Sequence, residues 1–277
     1  MDNYQSLLNY SKSYRKEINI LNYCDNGFGD ILNKVSFLYN TSLKYKKPTT
    51  VRWCYREVDY NKVLNAELFF EPCEFIKHEK RNEIERPWEH NNYFLFNHEY
   101  WPSKIIPSKI KTKKIAIDLY TFFSPGRSVI NRFKISTDEF KNKLKKHISN
   151  QGFEPIDIFH IDNSRGCKFV ISDYRDLMNV NMKILSEVDA FIGVEGNISH
   201  MCRSMKLPSL LLYNLINSTP PAVDINNNVL KNVVIPYIDS NIQKLVTSED
   251  ELIENIPNDI DILVNNVGIF KGKDFND

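Results

Sequence analysis

Two glycine-bearing turns, one in each half of the chain, constrain its fold more than any other feature. The first, Asn26-Gly27-Phe28-Gly29-Asp30, follows the apolar run Ile18–Cys24. The second, Gly193-Val194-Glu195-Gly196-Asn197-Ile198-Ser199-His200, follows Val188–Ile192. Each predicts strand, tight turn and helix. Behind the first turn, Ile31, Leu32, Val35, Leu38 and Tyr39 recur at helical spacing and predict an amphipathic helix over 30–44. In open α/β sheets ligands gather at such turns, outside the carboxyl ends of the strands.

The rest of the chain repeats the alternation. Further strands are expected at 50–54, 68–70, 93–96, 114–120, 155–160, 188–193 and 209–213. Helices are expected at 58–66, from Ser136-Thr137-Asp138-Glu139 onward, and at 173–186, 200–205 and 249–264, the last returning to the first domain. Strands alternating with helices imply parallel sheets. Residues 77–92 are charged and read as a solvated loop. Residues 99–114, with Pro102, Pro107 and lysines at 104, 109, 111, 113 and 114, suit an interdomain linker. The expected fold class is therefore α/β, with two Rossmann-like domains, 1–110 and 111–277, facing across a cleft.

Composition removes several function classes. A chain of 277 residues, 42% hydrophobic and 26% charged, can build two cores. A net charge of +1 shows no global basic excess of the kind a dedicated nucleic-acid binder carries. No apolar run approaches the ~20 residues of a membrane span, and Met1–Gln5 lacks the start of a secretory signal. A cytoplasmic location is expected, with peripheral attachment to a membrane left open. The cysteines at 24, 54, 73, 167 and 202 are odd in number and form no CxxC pair. They read as buried thiols, not as a disulfide framework or zinc site. There is no Walker loop, no third glycine for a dinucleotide fingerprint, no GxSxG and no HExxH. No cofactor and no metal are expected.

The turns themselves suggest chemistry. A helix start offers unbonded N–H groups to an anion. Asp30 is either a general base that deprotonates a hydroxyl or an N-cap. Glu195 is placed to accept hydrogen bonds from a ribose diol. Gly196, Asn197, Ile198 and Ser199 would present backbone N–H groups to a diphosphate, with His200 at the helix start as a phosphate contact. The competing reading makes Ser199 a cap and His200 a packed residue. Arg127 and Arg132 flank the loop after the 114–120 strand, either as phosphate ligands or as exposed arginines. Asp118 lies inside that strand or opens the turn after it.

These residues resemble the GT-B glycosyltransferases, and within them the heptosyltransferase-like family. That family opens with a strand, a glycine-aspartate turn and an apolar helix, and Phe28-Gly29-Asp30-Ile31-Leu32 is similar. Late in its second domain it has a strand, an acid-x-glycine run ending in histidine, a helix, and a strand entered through proline. Val188–His200 and Met205–Tyr213 are similar. The resemblance implies that Asp30 is the catalytic base and that Asn26, Gly27 and Gly29 form the acceptor-side turn. It implies that Glu195 and the backbone after it bind the nucleotide of the donor. The implied activity is metal-independent hexosyl or heptosyl transfer from a nucleotide-sugar donor to an acceptor hydroxyl. The acceptor could be a glycan, a glycolipid or a modified nucleobase. A nucleotide-sugar epimerase on the same fold, or a non-catalytic nucleotide- or sugar-binding protein, is the alternative.

Overall fold

The computed structural model describes residues 18–23, 28–46, 48–54, 57–81, 100–108, 111–119, 138–161, 170–194, 196–212, 242–246 and 248–256. The chain divides into two compact units, Met1–Lys104 and Ile105–Asp277. Each carries an all-parallel sheet among the described residues. Among those residues no helix is long and apolar enough to cross a membrane.

The first unit runs β1 (Ile18–Tyr23), α1 (Phe28–Tyr45), β2 (Thr49–Cys54), α2 (Glu57–Phe69) and β3 (Ile76–Arg81). Its strands lie in chain order, Ile18 beside Thr49 and Thr49 beside Ile76. Parallel neighbours need crossovers, and α1 and α2 supply them. In α1 the expected stripe from Ile31 to Tyr39 is buried, but burial goes beyond a stripe. Every residue from Ile31 to Tyr39 is covered, including Asn33, Lys34 and Ser36. Part of that cover is the segment around Trp101. Its backbone N–H donates to Ser36 Oγ (2.7 Å), its indole N–H donates to the Glu71 carbonyl (2.7 Å), and its ring meets Tyr39 edge-on at 5.4 Å. Ser103 bridges Phe70, and the Lys104 N–H donates to the Phe69 carbonyl. The stretch expected as a linker thus begins as packing of the first unit.

Two expectations in this unit are corrected. Leu68 and Phe69 end a helix instead of forming a strand, and Phe70 makes only an isolated bridge. Lys77–Arg81 is strand and not loop. Period-2 alternation explains it: Lys77 and Glu79 pair at 2.7 Å on one face, while His78 turns inward. The Trp53 indole N–H donates to His78 Nδ1 at 2.8 Å. Indole nitrogen only donates, so Nδ1 is the acceptor and Nε2 carries the hydrogen that faces Tyr39 Oη at 3.3 Å. Burial pushes His78 down to about 4 and raises the Tyr39 hydroxyl above its usual range. The strand expected at 93–96 lies outside the described residues.

The second unit runs β4 (Lys114–Asp118), α3 (Asp138–Asn150), β5 (Glu154–Asp157), α4 (Tyr174–Ser186), β6 (Ala190–Val194), α5 (Asn197–Met205), β7 (Ser209–Leu212), β8 (Gln243–Val246) and α6 (Glu249–Glu254). The sheet order is β5-β4-β6-β7-β8. Ile115, Ile117, Ala190, Ile192, Leu210 and Leu212 form one core face with Phe140, Leu144 and Ile148 of α3 and Leu252 of α6. The tail helix therefore ends at Glu254 and packs on the second unit; residues 257–264 of its expected span lie outside the described residues. Alternation turns Ala116, Asp118, Phe191, Gly193 and Leu211 to the opposite face. At the amino end of β6, both Asp189 carboxylate oxygens accept from the Thr112 N–H (2.9 and 3.0 Å), and one accepts the Lys113 N–H (2.7 Å). That acid of the motif run fastens the entry to β4.

Candidate functional site at the carboxyl edge of the second sheet

From β4 the chain passes to β5 on one side, and from β6 to β7 on the other. The strand order reverses between β4 and β6, which makes their carboxyl ends the topological switch point where open α/β sheets take ligands. Asp118, the last residue of β4, pairs there with Gly193 of β6.

The two described glycines at this edge differ in what they require. A Cβ on Gly193 would lie 2.7 Å from the Asp118 carbonyl oxygen and 2.3 Å from Phe191 Cζ, so only glycine lets the strands approach. At Gly196 the backbone is extended (φ 167°) and no described atom lies within 4 Å of an added Cβ. Neither backbone nor packing asks for glycine there; the missing side chain leaves room over the entry to α5.

That entry is held from two directions. The Gly196 N–H donates to Ser199 Oγ (3.0 Å), whose hydroxyl donates back to the Gly196 carbonyl (2.8 Å). Gln243 Nε2 of β8 donates to the Ser199 carbonyl at 3.0 Å. Asn197 opens the helix and Ser199 closes its first turn on Gly196. His200 is enclosed, 2% exposed. The amides of such a first turn favour an anion along the helix axis. The Cys202 thiol of α5 is pushed well above its usual range by burial, opposed by a hydrogen bond with Ser209 and reinforced by the charge of Asp118.

Beside this turn lies a pair that the sequence reading missed. His160 Nε2–H donates to Asp118 Oδ1 at 3.0 Å, with both side chains buried. The histidine is held by its neighbours. Asn181 of α4 accepts the Phe159 N–H at 3.0 Å and donates to the Phe159 carbonyl at 2.9 Å. The Ile171 N–H donates to the His160 carbonyl at 2.9 Å. A signal did exist: an acid stands near the end of one expected strand and a histidine ends the next, and parallel neighbours bring their carboxyl ends together.

Of the remaining expected site residues, Gly29 and Asp30 stand in the first turn of α1, so Asp30 lies inside the helix and not ahead of it. Asn26, Gly27, Arg127, Arg132 and Glu195 lie outside the described residues.

No protein-family model and no curated protein sequence matches the chain. Among solved structures it is similar to the bacterial iron-containing dodecameric glycosyltransferase TibC from enterotoxigenic E. coli H10407, with 10% identity and a TM-score of 0.47 over 73% of this chain and 59% of that one. It is likewise similar to the dodecameric iron-containing heptosyltransferase TibC in complex with ADP-D-β-D-heptose, with 13% identity and a TM-score of 0.49 over 73% of this chain and 60% of that one. The chain spans less than two thirds of the length of either.

Proposed function

We propose that this chain is a glycosyltransferase of GT-B architecture that moves a sugar from a nucleotide-sugar donor to an acceptor hydroxyl without a metal ion. The observation that supports this reading is the switch point between β4 and β6, where a glycine-bearing turn leads straight into α5. In this reading the donor diphosphate meets the first-turn amides of α5, and Glu195 takes the ribose. Arg127 and Arg132 share the phosphate charge, so helix and guanidinium groups together stabilise the leaving group. The acceptor oxygen attacks the anomeric carbon as the bond to the diphosphate breaks. Its proton passes to Asp30, and the nucleoside diphosphate departs with the bonding electrons.

The reading is tested first by thermal shift against UDP, GDP, ADP, CMP and their sugar conjugates, ADP-heptose among them. A ligand at 100 times its dissociation constant stabilises by about 2.7 kcal/mol. Selective stabilisation by one nucleotide class, lost in Glu195→Ala, is the expected result. Silence toward the whole panel overturns the reading. A nucleotide sugar that is interconverted with no acceptor product would replace transfer with epimerisation.

A further inference from the structure

We propose that Asp118 and His160 line the diphosphate end of the donor site, with His160 answering the Asp118 carboxylate so that an anion can lie beside it. This rests on the donor placement proposed above and adds two residues to it. Asp118 ends β4 at the switch point, paired with Gly193, only three residues ahead of the turn into α5. Alternation turns Asp118 to the sheet face opposite α3 and α6, and right-handed crossovers leaving the switch point in opposite directions put α5 on that same face.

Stability gives no reason for the pair. Burying a carboxylate with an imidazole costs desolvation that their attraction scarcely repays, and apolar residues of similar volume would join the two strand ends as well. Electrostatics does give a reason. A carboxylate at the edge of an anion site repels the anion, and a buried imidazole hydrogen-bonded to it at 3.0 Å offsets that repulsion. The offset needs a fixed ring. Asn181 holds both backbone polar groups of the preceding residue, Phe159, and the Ile171 N–H holds the His160 carbonyl. The histidine is thus seated before any ligand arrives, as a positioning residue should be.

The test compares affinities for inorganic pyrophosphate, for the nucleoside diphosphate that stabilises the wild-type chain most, and for its nucleoside, by titration calorimetry. His160→Leu should weaken both phosphate compounds by about 10- to 100-fold, the range of a lost interaction with a charged group. The nucleoside should be nearly unaffected. Asp118→Asn combined with His160→Leu removes the charge along with its partner and should recover most of the loss. An unchanged ratio of diphosphate to nucleoside affinity in His160→Leu overturns the inference while leaving the donor site standing. If the wild-type chain binds none of the phosphate compounds, the donor site and the inference fail together. Should His160→Leu not fold, Asp118→Asn decides: tighter pyrophosphate binding supports the charge argument, and unchanged or weaker binding overturns it.

Discussion

Each unit ties a histidine into a side-chain hydrogen bond, but in different places. The first encloses His78 in the body of the fold, between Trp53 of β2 and Tyr39 of α1. The second sets His160 at the carboxyl edge of its sheet, against Asp118. In the first, each ring nitrogen meets an aromatic neighbour and, among the described residues, no acid bonds the ring, so burial drives the proton off. In the second, the partner is an acid on the strand that borders the switch point. A neutral chain inside a fold fixes side-chain geometry; an ionisable pair at a strand end stands where ligands arrive.

Four measurements would break or sharpen that contrast. Asp30→Asn should cut turnover by about 10²- to 10⁴-fold, the usual contribution of a general base, without a matching loss of stability. A rate within a few-fold of wild type would remove the first unit from the chemistry. Gly193→Val should destabilise by about 3 kcal/mol in denaturant titration, because its side chain collides with the Asp118 carbonyl and Phe191. An unaltered midpoint would show that the edge between β4 and β6 is looser than described.

The third measurement is pH dependence. His78 refuses a proton until about pH 4 in the folded chain, whereas an ordinary histidine takes one near 6.5. Its contribution is complete above pH 6.5 and drains away as pH falls toward 4. It is worth on the order of 2 kcal/mol, allowing for the partial exposure of the residue. His78→Gln should flatten the stability curve across that window, and an equally steep curve would place the titration elsewhere. The smallest effect is expected at Gly196. Gly196→Ala should change stability by less than about 0.5 kcal/mol, as at other sites free of packing, yet weaken diphosphate binding. A variant that binds like wild type would strip Gly196 of its role.

What could be read from the sequence depended on where a strand sits in its sheet. β6, α5 and β7 were foreseeable because Ala190–Val194 and Ser209–Leu212 are interior strands, apolar on both faces, with a glycine turn between them. The charge run 77–81 that makes up most of β3 reads as loop, and β8, Gln-Lys-Leu-Val, carries too little apolar pattern to stand out. Both are edge strands among the described residues, where charge is tolerated and discourages further pairing. Their strand character comes from the neighbour's backbone, which a pattern of side chains does not show. The candidate site reads by the same logic. Gly193, Gly196 and Ser199 announce themselves locally, whereas Asp118 and His160 lie far apart in the chain and meet only because β4 and β5 are adjacent.

Asn181 shows how little material can end a structure. Its carboxamide gives one acceptor and one donor to Phe159, the same two groups a neighbouring peptide would offer. A single side chain of α4 thus imitates a piece of main chain, and the imitation has a narrow vocabulary. Aspartate could receive a hydrogen but not return one, leucine could do neither, and glutamine says the same words from one carbon too far away. Position 181 is therefore expected to vary least among residues that touch no ligand, because what it copies is the grammar of the peptide bond itself.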